Sequence, residues 1–275
     1  MNTPYYIKAG CKINLGLNII ERRPDGYHNI ETIFYPVPLY DEITVREQAG
    51  SEDVLILDGM PLEGEVQDNL VLKAVRLLRN EGYDVPPLNI SLRKIIPSGA
   101  GLGGGSSDAA QMVRAVSELC DLSLSEKRMR ELVGRLGADC PFFISPQPLF
   151  AEGTGDVFTP LSLNLGGWYL MLVKPAVHVS TREAYAGVSP HKPACSLLQT
   201  STLPVGQWEG RMTNDFEANI FRNYPLLREI KEKLYSRGAA YASMSGSGST
   251  IFGLFRSRPD CEHTFEGHFT FVCQL

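Results

Sequence analysis

"IPSGAGLGGGSSDAA", residues 96–110, sets five glycines and three serines among fifteen positions and then turns alanine-rich. A strand-like run, Leu88–Lys94, precedes it. A helix-like run, Ser106–Leu119, follows, with Ala109, Met112, Val113 and Val116 at the spacing of one helical face. Glycine has no Cβ, so an oxyanion can approach its backbone N–H group closely. A helix start leaves N–H groups unpaired and carries the positive end of the helix dipole. Successive amides of such a loop form an anion-binding concavity. The stretch therefore predicts a polyphosphate cradle; the plainer alternative is a glycine-rich turn without a ligand, which would order a flexible run at an entropic cost for no use.

Two familiar phosphate motifs do not fit. A Walker A loop needs Gly-Lys-Ser/Thr, whereas this run ends Gly105-Ser106-Ser107. A dinucleotide fingerprint does occur at Gly99, Gly101 and Gly104. That motif also needs a second parallel strand ending in an acid about twenty residues on, and the chain continues instead into Cys120–Ser125 and a further helix. A dehydrogenase fails on that topology.

The rest of the chain bounds the reading. Its 275 residues can bury a sizeable core, and 43% hydrophobic with 21% charged residues marks a globular protein. A formal charge of −5 leaves no basic stripe for nucleic acid. Cys11, Cys120, Cys140, Cys195, Cys261 and Cys273 are scattered without a C-x-x-C pair, which argues for reduced thiols and against zinc. No run has the length of a membrane span, and the start lacks an apolar signal core, so a cytoplasmic protein is expected.

Strands and helices mix from end to end, an α+β pattern. Strand-like runs cover 13–20, 42–46, 54–57, 88–94, 168–173, 249–255 and 268–273. A helix over 70–81 is opened by Asp68 or Asn69 and closed by Gly82. Another carries a capping box, Ser123 with Glu126, and ends at Gly137; a third runs from Pro225 to Ser236 with Gly238 beyond. Residues 189–210 read as loop. Two lobes are expected, 1–150 and 151–275.

Phosphoryl transfer needs a cradle, a cation and a group that takes the attacking hydroxyl's proton. In "AGCKINLGLNIIERRPDGYHNIET", residues 9–32, Lys12 stands alone in an apolar strand-like stretch; its bland alternative is a strand-edge lysine in solvent. In "GADCPFFI", residues 137–144, Asp139 precedes Pro and two Phe, and partial desolvation suits a proton acceptor. Its bland alternative is a turn aspartate. "SMSGSGSTIFGLF", residues 243–255, is a second small-residue loop that by itself reads as a hairpin turn.

Taken in order, these pieces resemble the GHMP kinases of small molecules. "PSGAGLGGGSSDAA" matches the superfamily's loop, while "RRPDGYHNIET" (22–32) is the specific signature of its branch acting on 4-diphosphocytidyl-2-C-methyl-D-erythritol. The likeness extends through "QDNLVLKAVRLL" (67–78), "AEGTGD" (151–156) and "TNDFE" (213–217). It implies a two-lobed GHMP-kinase-like fold, with an N-terminal lobe like ribosomal protein S5 domain 2 and a C-terminal lobe like an α/β-plait. It implies ATP with Mg2+, a CDP-bearing small-molecule substrate, no nucleic acid or membrane partner, and a monomer or homodimer.

The resemblance also assigns residues. Pro97, Gly99, Gly101, Leu102, Gly103, Gly104, Gly105, Ser106 and Ser107 would wrap the ATP phosphates, with Lys94 and Asn69 near the adenosine. Asp139 would accept the proton of the substrate's C2 hydroxyl, and Lys12 would steady Asp139 and the transferring phosphoryl group. Tyr27 and Tyr185 would sandwich the cytosine, His28 would hydrogen-bond it, and Asn14 would touch the methylerythritol. No protein ligand for a metal is named. The alternatives are a GHMP kinase for mevalonate derivatives, homoserine or a sugar, for which "DGYH" has little use, and a catalytically dead relative, against which Lys12 and Asp139 stand.

Overall fold

In the computed structural model, residues 3–62, 64–260 and 263–275 are described; Cys261 lies outside them. The first half of the chain carries β1 (Tyr5–Arg22), β2 (His28–Glu47), β3 (Val54–Gly59), α1 (Leu70–Asn80), β4 (Leu88–Lys94), α2 (Gly104–Leu119) and α3 (Glu126–Gly134). The second half carries β5 (Leu149–Glu152), β6 (Val157–Pro160), β7 (Tyr169–Lys174), α4 (Thr181–Ala186) and α5 (Leu197–Ser201). It closes with α6 (Glu217–Asn223), α7 (Pro225–Ser236), β8 (Tyr241–Met244), β9 (Ile251–Phe255) and β10 (Phe269–Gln274). Single 3-10 turns lie at Val66–Asp68, Cys140–Ile144 and Val205–Gln207.

Two compact units result. The first is built from Met1–Cys11, Leu39–Ser98 and Gly103–Pro146, the second from Lys12–Pro38, Gly99–Leu102 and Gln147–Leu275. In the first, β3 runs parallel to β4, and β4 runs antiparallel to the later part of β2, with Glu42 opposite Arg93. Burial alternates along these strands. Ile43 and Val45 of β2, and Ile90 and Leu92 of β4, are fully buried, and Asp41 and Lys94 continue the same buried alternation. Strands present alternate residues to one face, so these two charged groups occupy positions made for apolar ones.

Helices α1 and α2 pack together, and α2 and α3 pack on the 140–144 turn. Ala109, Met112, Val113 and Val116 are fully buried, as the helical period predicts. Helix α1 is capped by Asn69, whose Oδ1 accepts from the Val71 N–H at 2.9 Å, and it ends before Gly82 at φ +85°. The α3 expectation is corrected. Ser125, rather than Ser123, caps it, accepting from the Arg128 N–H at 3.2 Å. Ser123 is left-handed at φ +51°, in a chain reversal where Ser117 accepts from the N–H groups of Leu122 and Leu124. The helix also stops at Gly134, short of Gly137.

In the second unit β2 pairs antiparallel with β5, Thr32 opposite Ala151, and β5 with β6. A second sheet, β10-β7-β9-β8, is antiparallel throughout. Helix α7 packs on β8 and β9 and on α6, closing a core around Met171, Ile220, Leu227, Ile230 and Ile251. Residues 189–210 are not all loop: α5 and the 205–207 turn interrupt them, and Trp208 is buried there. Among the described residues, no helix is long and apolar enough to cross a membrane.

Candidate active site

In the first unit, α2 starts at Gly104, two residues before the Ser106 that the sequence suggests. Its N-cap is Gly103, left-handed at φ +71°, and no side chain caps the first turn. No acidic residue stands in that turn either. The N–H groups of the helix start are thus left to an outside acceptor, with no acidic side chain of that turn competing for the dipole. Ser106 is half-buried, Ser107 is buried with its hydroxyl unpartnered, and Gly105 is exposed. This is the arrangement an anion needs.

Asp139 sits half-buried just before the 140–144 turn, where its carbonyl accepts from the Phe142 N–H at 3.2 Å. Burial lifts the neighbouring Cys140 thiol to about 11, so it stays protonated near neutrality. Pro97 is buried beside the loop. Lys94 is buried at the end of β4. It is 3% exposed, and its ammonium is held by Asp41 and by Asp108 Oδ2, the latter at 2.6 Å. Asn69 spends its side-chain oxygen on the α1 cap.

In the second unit Lys12 is 4% exposed, which removes the solvated strand-edge alternative. Its Nζ donates to Asn14 Oδ1 and to the Gly101 carbonyl at 3.3 Å, and it lies 4.9 Å from the Phe34 ring centroid. The Lys12 N–H also donates to the Leu102 carbonyl at 3.0 Å. Asn14, in turn, donates through Nδ2 to Thr32 Oγ1 at 2.9 Å. Gly101 is fixed from the other side. At φ +72°, it lies so close to the 245–250 loop that a Cβ would stand 2.0 Å from the Ser245 carbonyl oxygen. Gly99 faces His178 in the same way, with 3.0 Å from its Cβ position to Nδ1. Tyr27 is exposed, while the His28 ring stacks on Tyr185 at 4.8 Å and 22°, and Tyr185 meets Phe216 edge-on.

Residues 69–146 match the family described as GHMP kinases N terminal domain, and residues 199–262 match GHMP kinases C terminal. A 4-diphosphocytidyl-2-C-methyl-D-erythritol kinase of Bacteroides fragilis is 51% identical over 96% of this chain and 97% of its own length. The chain belongs to the 4-diphosphocytidyl-2-C-methyl-D-erythritol kinase family. A solved structure of a 4-(cytidine 5'-diphospho)-2C-methyl-D-erythritol kinase superposes with TM-score 0.79 at 30% identity, over 98% of this chain and 99% of that one. A homoserine kinase from Cytophaga hutchinsonii reaches TM-score 0.63 at 17% identity, covering 100% and 96%, a likeness of fold alone. The protein is therefore a small-molecule kinase of the GHMP fold with ATP as its co-substrate.

Several polar residues of this kinase escape motif reading. In "TNDFE" every polar side chain but the threonine's is spent on the framework. Asn214 Nδ2 donates to the Met244 and Gly246 carbonyls, each at 2.8 Å. Asp215 accepts from the Ile19 N–H at 2.7 Å, and Glu217 from the Met244 N–H at 2.8 Å and from Ser243 Oγ at 2.9 Å. Ser245 Oγ accepts from the Asn14 N–H at 3.1 Å and donates to the Gly101 carbonyl at 2.8 Å. The late serine-glycine run is a hairpin loop between β8 and β9, and it also braces Gly101 and Asn14.

Proposed function

We propose that this kinase transfers the γ-phosphoryl group of ATP to the 2-hydroxyl of 4-diphosphocytidyl-2-C-methyl-D-erythritol, as the relatives' names suggest. The observation that carries the phosphate part is the uncapped, acid-free start of α2 behind Gly103. The amides of residues 99–107 take the polyphosphate. Asp139 accepts the C2 hydroxyl proton while that oxygen bonds to the γ-phosphorus, and the bond to the β–γ bridging oxygen breaks to release ADP. Lys12, whose Nζ donates to Asn14 Oδ1 and to the Gly101 carbonyl, offsets the charge that develops on the transferring group. In a loose transition state positioning and fixed charge supply most of the acceleration.

Tyr27, His28 and Tyr185 serve the cytosine, and the aromatic stack of His28 on Tyr185 offers a preformed flat wall for a base. Asn14 serves the methylerythritol. Mg2+ accompanies the nucleotide and neutralises phosphate charge when bound; the buried, unpartnered Ser107 hydroxyl is an oxygen donor of the kind it takes. The reading places the chain in the cytoplasm, in non-mevalonate isoprenoid synthesis, as a monomer or homodimer. Along the sequence the reading divides the chain into lobes 1–150 and 151–275, with the division falling between the two matched segments.

The test is ADP release with ATP, Mg2+ and the CDP-linked alcohol, run beside Asp139→Asn and beside methylerythritol lacking the CDP group. The expected result is release only from the parent with the CDP-linked substrate. Release with the free alcohol at a similar rate would remove the base-recognition assignment. Full activity of Asp139→Asn would remove its role as proton acceptor.

A further inference from the structure

Lys94 ends β4, and its ammonium is 3% exposed between Asp41 of β2, itself fully buried, and Asp108 of α2, 3% exposed. Asp41 does a second job. Its other oxygen accepts from the backbone N–H groups of Ile95 and Ile96, the latter at 2.8 Å. Those are the first peptide groups of the glycine-rich stretch as it leaves the strand. Asp108 lies one turn into the helix that closes the same stretch. Gly104, the first residue of α2, is wedged against this cluster. A Cβ there would stand 2.9 Å from Ile96 Cγ2 and 3.5 Å from Lys94 Nζ.

Two carboxylates on one ammonium leave the cluster neutral or negative, so it cannot draw phosphate by charge. Nor is such a cluster an efficient source of stability, because desolvating the ions offsets their attraction. What it does supply is geometry. It ties the exit of β4 and the entry of α2 to one point, and an anion cradle binds well only when its N–H groups are already aimed. We propose that Lys94, with Asp41 and Asp108, is a positioning residue that clamps both ends of the glycine-rich stretch and so presets its amides for the ATP phosphates. Lys94 acts through the loop and makes no contact with the nucleotide phosphates. The inference rests on the kinase reading only in taking ATP as the ligand.

The test is calorimetric titration with Mg·ATP, joined to steady-state kinetics, on the full chain. Lys94→Met keeps an unbranched side chain and removes the ammonium. It should weaken ATP binding tenfold or more, raise KM for ATP in parallel, leave kcat at saturating ATP within threefold, and leave KM for the CDP-linked alcohol within twofold. Asp108→Asn keeps an acceptor oxygen for Lys94 and should bind ATP within threefold of the parent, while Asp108→Ala should follow Lys94→Met. If Lys94→Met does not fold, judged by its thermal melt, the two Asp108 variants carry the test. Unchanged ATP affinity in folded Lys94→Met or Asp108→Ala would overturn the proposal. Equal weakening of ATP and acceptor would overturn it too, since that marks general loosening. A parent that binds ATP without turning over the CDP-linked alcohol would remove the acceptor assignment and leave this inference standing; a parent that does not bind ATP would overturn both.

Discussion

Residues 96–107 and 243–250 are both runs of glycine and serine, yet they are secured in opposite ways. The later run closes the β8–β9 hairpin; past the Glu217 carboxylate, which takes Ser243 Oγ and the Met244 N–H at its start, it is held by bonds between neutral groups. The Ser245 N–H donates to the Thr250 carbonyl at 2.9 Å, Asn214 takes the Met244 and Gly246 carbonyls, and the Thr250 N–H reaches the Ala100 carbonyl at 3.3 Å. The earlier run is anchored at its flanks by buried charge, through Asp41, Lys94 and Asp108, and leaves the α2 start uncapped. Composition alone does not separate a loop built to fit from a loop built to bind. The separation lies in where the backbone donors go. One loop uses them internally, and the other holds them open.

The comparison breaks first at Gly101, where the two runs touch. Gly101→Ala would place a Cβ 2.0 Å from the Ser245 carbonyl oxygen, backbone against backbone, at φ +72°. Neither loop can yield without losing its bonds. The expected cost is about 2–4 kcal/mol of stability, read as a lower denaturant midpoint. A midpoint within error of the parent would mean that the loops are not pressed together. Asn214→Ala comes next. It strands two carbonyls and the Phe216 N–H, which donates to Asn214 Oδ1 at 3.0 Å, in a buried place. A loss of about 2–3 kcal/mol is expected, with no dependence on pH between 5 and 8, because every group involved is neutral.

The charged anchor should behave differently with pH. Burial, opposed by the Lys94 ammonium and reinforced by the Asp41 charge, pushes the Asp108 carboxyl up to about 7 from an ordinary 3.8. A folded state whose carboxyl titrates above the unfolded one holds the extra proton in the window between those values. Stability therefore falls as pH rises through that window, and the loss is complete above it. Asp108→Asn removes the titration. It should exceed the parent in stability at pH 8 by on the order of 2 kcal/mol, with the gap narrowing steadily toward pH 4. A gap of the same size at every pH would place the effect in packing instead.

Much of this was legible from residue patterns, for stated reasons. The α2 face follows from the spacing of Ala109, Met112, Val113 and Val116, and α7 from Pro225 and Gly238 at its two ends. Strand β2 extends well beyond the strand-like run at 42–46, and Pro36 and Pro38, residue types that ordinarily interrupt a strand, sit within it. Ser123 and Ser125 both precede helix-forming residues, and only the left-handed reversal at Ser123 decides between them. The charged cluster left a signal that motif reading passes over. Lys94 continues the buried alternation of Ile90 and Leu92, and Asp41 that of Ile43 and Val45. A charge on the apolar phase of two paired strands asks for a partner. The hairpin loop's grip on Gly101 left no such trace, because a bond from Ser245 Oγ to a carbonyl 144 residues away has no period in sequence.

The finest test of the contrast is Gly105, which lies in the first turn of α2 and is exposed. A Cβ there meets nothing closer than Leu70 Cδ1, at an ordinary 3.6 Å. The protein's own packing therefore gives no reason for glycine, and alanine is the better helix former by roughly 0.5–1 kcal/mol. Gly105→Ala should raise the melting temperature slightly. If the space above this turn belongs to phosphate, the same methyl group should weaken ATP binding tenfold or more. Only a ligand that the folded chain leaves room for makes one substitution stabilise the fold and damage the binding together. A variant that is more stable and binds ATP as the parent does would return residues 103–105 to the status of a turn.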